Sequence, residues 1–366
     1  MFSENGKISG RQMNRLLILD LFAVSCMVLP RLLPDICGRQ GFFAVAAGAG
    51  AAILSALLYT KTARCYTDNF FAFARRQTAA VPAVIFTLFF MIKFLLSAVF
   101  VLKMFSEIIN RTFLTEMHEK VIAALMILTA LYSVSKGIET RGRLGELLFW
   151  AVLIPIIVVV ILSAAQIVPD RIFPMTADDA GEIFDGTLLT AAIFSVFEFL
   201  LFSMPYVRGS RPVFHFCAWA AAAAAALTIF IYVACIGVLS VEGAGAEHWP
   251  TVILMQVIRF PGYFLSRQDG LMLAFWMGSV FILLSGYIFY TDELTKQLFP
   301  KKYFKGTMIL WLILVYGLFW LIQDYGRFEA VYWRLMTFAG MPVSLLISAW
   351  LLISCKFKRG KEGGRA

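Results

Sequence analysis

Ser195-Val196-Phe197-Glu198-Phe199-Leu200-Leu201-Phe202-Ser203-Met204-Pro205 lies in the middle of an apolar run from Leu188 to Val207. A transmembrane helix needs about 20 apolar residues, so this run is long enough to cross a bilayer. A carboxylate at such depth costs roughly 2.5–3.5 kcal/mol on insertion scales. It normally faces a protein interior or a water-filled cavity and marks a binding or conduction path. The hydropathy therefore puts the chain in a membrane, and Glu198 points to where it works.

The composition agrees. Of 366 residues, 60% are hydrophobic and only 15% charged, against about 25% charged in ordinary soluble proteins. The charges cluster between ten apolar runs: 14–33, 42–60, 81–105, 120–136, 145–166, 187–207, 214–240, 270–290, 307–323 and 333–355. The runs at 120–136 and 307–323 are short. Backbone polar groups have no water to bond in hydrocarbon, and the runs lack a two-residue alternation, so helices are expected rather than a barrel. The first run is too long for a secretory signal and reads as a retained span. The reading is one polytopic membrane domain over 1–366, with short, mobile cytoplasmic tails at 1–13 and 356–366.

With the N-terminus in the cytoplasm, 21 of the 32 Lys and Arg fall in cytoplasmic segments and 9 outside. That bias predicts an even number of spans with both ends inside. It accounts for the net charge of +9 without nucleic acid as a partner and leaves attraction to anionic lipid. Cys26, Cys37, Cys65, Cys217, Cys235 and Cys355 form no metal or disulfide spacing. His118, His215 and His248 lie far apart. No metal or cofactor is expected.

Two connections are long. The one at 167–186 holds Asp170, Asp178, Asp179, Glu182 and Asp185, which suit the N-terminal end of the sixth span. In the one at 241–269, Pro250 and Pro261-Gly262 bracket about ten residues, too short to cross; they read as a helix lying on or dipping into the outer face. The runs Ala44–Ala52 and Ala218–Ala226 are rich in small residues, which let helices approach closely in lipid.

Five spans precede the 167–186 connection and five follow it, so the halves have opposite topology. The first span of each half carries an acid, a Ser and a Pro: Asp20, Ser25 and Pro30 in span one, Ser195, Glu198 and Pro205 in span six. Corresponding interrupted segments in two halves are the best sequence pointer to a transporter-type site. The expected fold is thus an all-α integral membrane protein of ten transmembrane helices, a 5+5 inverted repeat with broken first and sixth helices.

Several stretches resemble the spore germination permease family, the B-type subunits of nutrient germinant receptors, within the amino acid–polyamine–organocation transporter superfamily. They are Lys7-Ile8-Ser9-x-Arg11-Gln12, Leu29-Pro30, Gly142-Arg143-Leu144-Gly145-Glu146 and Phe197-Glu198. The most specific runs from Trp249-Pro250-Thr251 through Phe260-Pro261-Gly262-Tyr263-Phe264-Leu265-x-Arg267-x-Asp269, then Trp276. Gly38-Arg39-Gln40-Gly41-Phe42 departs from the acidic, small, Trp pattern usual after span one. The resemblance implies residence in the spore inner membrane, A-type and C-type partner subunits, and sensing of a small germinant, commonly an amino acid.

A broken helix exposes unpaired N–H groups on one side and C=O groups on the other. The N–H end suits a carboxylate and the C=O end an ammonium, so two crossed breaks match a free amino acid. The expected lining is Val24, Ser25 and Cys26 with Phe194, Ser195, Val196, Phe197 and Glu198. Asp20 is either a site group or a structural acid. Glu198 either contacts a ligand or ion, or pairs structurally with Lys93 at similar depth in span three. Lys103 and Glu107 are spaced to pair locally, and Glu146, beside Arg143, reads as a boundary residue. Two function classes stay open: a receptor subunit that triggers germination, or an amino acid or cation transporter or channel of the same fold. An enzyme is disfavoured, since no nucleophile–base pair, phosphate loop or metal spacing is present. A reporter that fluoresces only in the cytoplasm should be bright when fused to the C-terminus; a dark fusion with intact expression would reverse the orientation.

Overall fold

The computed structural model describes residues 6–66, 69–173, 179–208, 213–257, 268–299 and 306–363. Residues 258–267 of the most specific family stretch lie outside them, as do Asp178, Arg211, Lys301, Lys302, Lys305 and Arg365.

Strand β1 (Ile8–Ser9) leads into helix α1 (Gly10–Cys37), and a 3-10 turn joins it to α2 (Gly41–Ala63). Then come α3 (Phe70–Gln77), α4 (Ala80–Thr112), α5 (Glu119–Ser135), α6 (Gly137–Ser163) and the short α7 (Pro169–Ile172). Helix α8 (Ala180–Ile193) passes through a 3-10 segment (Phe194–Glu198) into α9 (Phe199–Ser203), and strand β2 (Val207–Arg208) follows. The second half continues with α10 (Val213–Leu239), α11 (Val241–Ala246), α12 (Pro250–Val257), α13 (Gln268–Leu298) and α14 (Thr307–Leu321). Helix α15 (Tyr325–Leu335) joins α16 (Met341–Gly363) through a π-helical turn (Met336–Gly340).

The ten apolar runs fall on helical segments almost end to end. Among the described residues, seven stretches are long and apolar enough to cross a membrane; the first, Gly10–Ala63, holds two runs in its 54 residues. Helices α5 and α14 are shorter, at 17 and 15 residues, and they correspond to the two short runs. The chain is a multi-pass membrane protein. Leu125, Leu128, Trp150, Leu321 and Trp350 turn large apolar side chains outward, as a lipid-facing surface requires.

The first helix is not broken. Helix α1 is continuous over 28 residues, with Pro30 and Pro34 inside it, which corrects that part of the expectation. Pro30 has no N–H, so the carbonyl four residues earlier loses its helical donor. That carbonyl belongs to Cys26, and Thr251 Oγ1 donates to it at 2.6 Å. A side chain from α12 thus supplies the missing bond and the helix runs on. The sixth span is interrupted, by the 3-10 segment at Phe194–Glu198. Helix α12 does not merely lie on a surface: Thr251, Val252, Leu254 and Met255 are buried, as in the dipping alternative.

Within the expected N-terminal tail, residues 8–12 are tied down rather than mobile. Ser9 Oγ accepts from Gln12 N–H at 3.2 Å, and Gln12 Oε1 accepts from Ser9 N–H at 2.9 Å, a capping box. Strand β1 pairs in parallel with β2, Ile8 against Val207. Ile8 is fully buried in space that Gly142 leaves by having no side chain. Residues 356–363, expected in a loose tail, continue α16. At the start of α8, Asp179 accepts from the N–H groups of Gly181 and Glu182, the cap expected of that acidic connection.

The halves pack reciprocally. Helix α1 lies on α10 while α2 lies on α8, and α1 packs on α6 while the 336–340 turn packs on α8. Exchanging the first five spans for the second five maps each contact onto its counterpart. The small residues serve that packing: a Cβ at Gly48 would lie 2.5 Å from Thr190 Cβ and 3.1 Å from the Thr187 carbonyl. Gly50, two residues on, has open space. Gly48→Ala should lower the thermal midpoint in detergent, at an overpacking cost of about 1–3 kcal/mol, whereas Gly50→Ala should leave it unchanged or raise it.

Candidate ligand site in the helix bundle

Every residue of the Phe194–Glu198 segment is buried. A 3-10 stretch inside a longer helix often marks a hinge or a functional position. Glu198 closes this one, and Lys93 Nζ from α4 donates to its Oε2 at 2.7 Å. Lys93 Nζ also donates to the carbonyl of Gly340 at 3.2 Å. Gly340 ends the π-helical turn, another irregularity common at functional sites. A Cβ at Gly340 would lie 2.8 Å from Met336 Sδ and in ordinary contact, at 3.4 Å, with Lys93 Cε. The ammonium is therefore held by a carboxylate and a main-chain carbonyl, each at the end of an irregular segment. One helical turn away on either side, Ser97 Oγ bonds Tyr332 OH and Tyr59 OH bonds Ser344 Oγ, both at 2.9 Å.

Asp20 has a partner that the sequence reading misplaced. Arg141 Nη2 lies 2.8 and 2.6 Å from the two carboxylate oxygens of Asp20. Arg141 Nε donates to the Ile282 carbonyl at 3.3 Å. The guanidinium stands over the rings of Phe199 and Tyr290 at 5.5 and 5.7 Å. Arg141 was counted with the cytoplasmic basic residues; it is only 2% exposed, on α6. Gly286 on α13 leaves the space it fills. A buried acid in the first span demands a nearby cation, and that demand was the signal that could have found Arg141.

The expected lining on helix α1 makes its polar bonds to second-half helices. Ser25 Oγ lies 2.9 Å from Thr228 Oγ1 of α10, and the carbonyls of Ala23 and Cys26 accept from Trp276 Nε1 at 3.0 Å and Thr251 Oγ1. Val24 and Cys26 are buried. Helix α1 packs against the 194–198 segment, but no bond among those described joins Ser25 to Glu198. Phe194 and Phe197 are fully buried, and Ser195 and Val196 nearly so. Thr228, Thr251 and Trp276 are polar neighbours of helix α1 that pattern reading gave no role; Trp276 and Thr251 stood in family stretches without one.

Lys103 does not pair with Glu107. It bonds Glu119 of α5 at 2.6 Å, while Glu107 takes Arg111 at 2.6 Å. Lys103 is buried toward the neighbouring helix, and tertiary packing overrides the local spacing. Glu146 sits among Arg11, Arg15 and Gln12, as a boundary residue would. At the other end of α1, Arg31 pairs with Glu329, which also accepts from Tyr325 OH at 2.9 Å.

A helical membrane bundle with an interrupted sixth span and paired charges inside has the architecture of a permease. A sequence profile described as spore germination protein matches residues 7–325. The chain belongs to the spore germination permease family. Its relatives include spore germination protein YndE of Bacillus subtilis (strain 168), 22% identical over 305 residues, covering 82% of this chain and 84% of that one. Spore germination protein KB of the same organism is 25% identical over 305 residues, covering 82% and 80%. Among solved structures, a substrate-bound, outward-open Na+-coupled sialic acid symporter matches with TM-score 0.70 and 15% identity, over 92% of this chain and 78% of that one. MhsT in complex with L-phenylalanine matches with TM-score 0.69 and 12% identity, over 94% and 95%. These likenesses show the fold and agree with an inverted repeat.

Breaking one side of a buried ion pair leaves an uncompensated charge, at a cost of about 3–5 kcal/mol. Asp20→Asn should therefore lower the thermal midpoint of the purified chain sharply, and Asp20→Leu with Arg141→Met should recover most of the loss. A double variant no better than the single one would show that the pair does more than neutralise itself.

Proposed function

We propose that this chain is the membrane subunit of a spore nutrient germinant receptor that binds a small germinant, an amino acid, at the interrupted sixth span and triggers germination. The observation that carries the reading is the Glu198–Lys93 pair, held at the 3-10 break in the bundle interior. Family membership supports the germination role, and the relatives include spore germination proteins B2 and A2 of Bacillus subtilis (strain 168). The proposed lining is Phe194, Ser195, Val196, Phe197 and Glu198 with the adjacent face of α1 at Val24, Ser25 and Cys26. Asp20 is structural in this reading, since Arg141 satisfies both its oxygens. The proposal includes ten crossings with both ends cytoplasmic, residence in the spore inner membrane, and A-type and C-type partner subunits.

A second reading, a transporter or channel for an amino acid or cation, is favoured by the fold, because the matching solved structures include a symporter. Fold does not fix function. Labelled amino acids separate the two: binding without accumulation by the purified chain in vesicles supports sensing, and steady accumulation supports transport.

Disrupting the gene in its native spore-former should abolish the response to one class of nutrient and spare the others. Alanine at Phe197 or Glu198 should reproduce that defect with the protein still present in the membrane. An unchanged response in both variants removes the site from 194–198.

A further inference from the structure

Many exposed cations of this chain stand beside an acid: Arg11 beside Glu146, Arg143 beside Glu139, Arg111 beside Glu107. One end of the bundle breaks that pattern. Lys61 and Arg64 close α2, Arg75 lies in the last turn of α3, and Lys356 lies toward the end of α16; all four are exposed. Among the described residues, no ion pair joins any of the four to an acid. We propose that this cationic face binds the phosphate headgroups of anionic phospholipids in the adjoining leaflet.

Three packed elements hold the charges in one place. Helix α16 packs on both α2 and α3. Thr62 Oγ1, next to Lys61, donates to the Ser348 carbonyl at 3.1 Å, and Lys358 Nζ donates to the Arg76 carbonyl. Helix α3 is fixed in turn. Asn69 caps it, accepting from Ala72 N–H at 2.7 Å. Phe70 stands edge-on to Phe90 and Phe202 at 5.5 and 5.1 Å, and Phe73 stacks on Tyr66 at 4.7 Å. With that aromatic face buried, α3 turns Arg75 and Arg76 outward. Cations on a packed scaffold lose little freedom when they take a ligand.

The face also stands at headgroup level. On α16, Trp350, Ile353 and Phe357 are exposed at spacings of three and four, so they form one apolar stripe, and Lys356 and Lys358 flank its last member. On α4, Val81, Ile85, Leu88 and Ile92 form a second exposed stripe, which begins just after α3 ends. Such stripes face hydrocarbon. The cations at their ends therefore lie where acyl chains give way to headgroups, within reach of the surface potential of an anionic leaflet. A phosphatidylcholine headgroup carries its own ammonium, which cancels the attraction. A headgroup with phosphate and no cation keeps it.

The test titrates the purified full-length chain in neutral detergent with phosphatidylglycerol or phosphatidylcholine and reads the thermal midpoint, which rises with any ligand that prefers the folded state. Phosphatidylglycerol should raise it and phosphatidylcholine should not. Salt at about 0.5 M should cancel the rise, because exposed charges are screened. The variant carrying Lys61→Gln, Arg64→Gln, Arg75→Gln and Lys356→Gln should need about tenfold more phosphatidylglycerol for the same rise. A charge-matched variant, Lys7→Gln with Lys136→Gln, Arg327→Gln and Arg334→Gln, should titrate as the wild type does. If the first variant does not fold, Lys61→Gln with Lys356→Gln and Arg64→Gln with Arg75→Gln replace it, each expected to need about threefold more lipid. An equal response to the two lipids overturns the proposal, and that comparison needs no variant to fold. A folded variant of this face that titrates as wild type overturns it too, as does a charge-matched variant that loses as much, since net charge would then explain the binding. A polyglutamate peptide that raises the midpoint where phosphatidylglycerol does not would overturn it in favour of an acidic protein partner.

Discussion

A charge inside a lipid-embedded bundle must be cancelled where it stands, and this fold is arranged around two places where that happens. Asp20 with Arg141 ties α1 to α6, and Lys93 with Glu198 ties α4 to the end of the 3-10 break. Both cations also reach a main-chain carbonyl, Ile282 and Gly340 respectively, and Arg141 occupies space that Gly286 leaves open. Phe199 stands between them. It follows Glu198 in the chain, faces the Arg141 guanidinium, and packs on Phe94, the residue after Lys93, at 5.4 Å. The two pairs and the aromatic ring are thus joined by direct contacts.

The halves repeat in topology but not in detail. Helix α1 meets a proline at its centre and stays continuous, because Thr251 replaces the lost donor to Cys26. Trp276 adds a bond to the Ala23 carbonyl. Two main-chain acceptors of the first helix are thereby occupied by the protein itself. The sixth span has a matching splint, Tyr66 OH donating to the Leu201 carbonyl four residues before Pro205, yet it narrows upstream to a 3-10 segment at Phe194–Glu198. The two halves differ at that segment, which carries the charged pair.

The family stretches acquire physical roles in the same frame. Lys7-Ile8-Ser9-x-Arg11-Gln12 is a docking element: Ile8 and Ser9 pair with Val207 and Arg208, and Gln12 and Arg11 reach Glu146. Gly142 and Gly145 lie against Ile8 and Leu16. The segment before the first helix is thus joined to the end of the sixth and the start of the fifth.

Apolar run length and the absence of alternation determined the helical membrane class, and the position of acids within the runs marked Asp20 and Glu198 as residues needing partners. Those properties are local, and hydrocarbon leaves a chain no other way to satisfy its backbone. The repeat of acid, Ser and Pro in spans one and six was legible for the same reason. Equal depth in spans three and six also set Lys93 against Glu198, though they are 105 residues apart. The partner of Asp20 was not legible: Arg141 lies 121 residues away, outside the apolar runs, so that pairing depends on how distant helices cross. The continuity of helix α1 was hidden as well. A proline in sequence signals a lost hydrogen bond, but only the packed bundle brings Thr251 to the orphaned carbonyl. Helix formation follows from each segment's own chemistry in lipid, whereas the pairing of buried charges is decided only when the helices assemble.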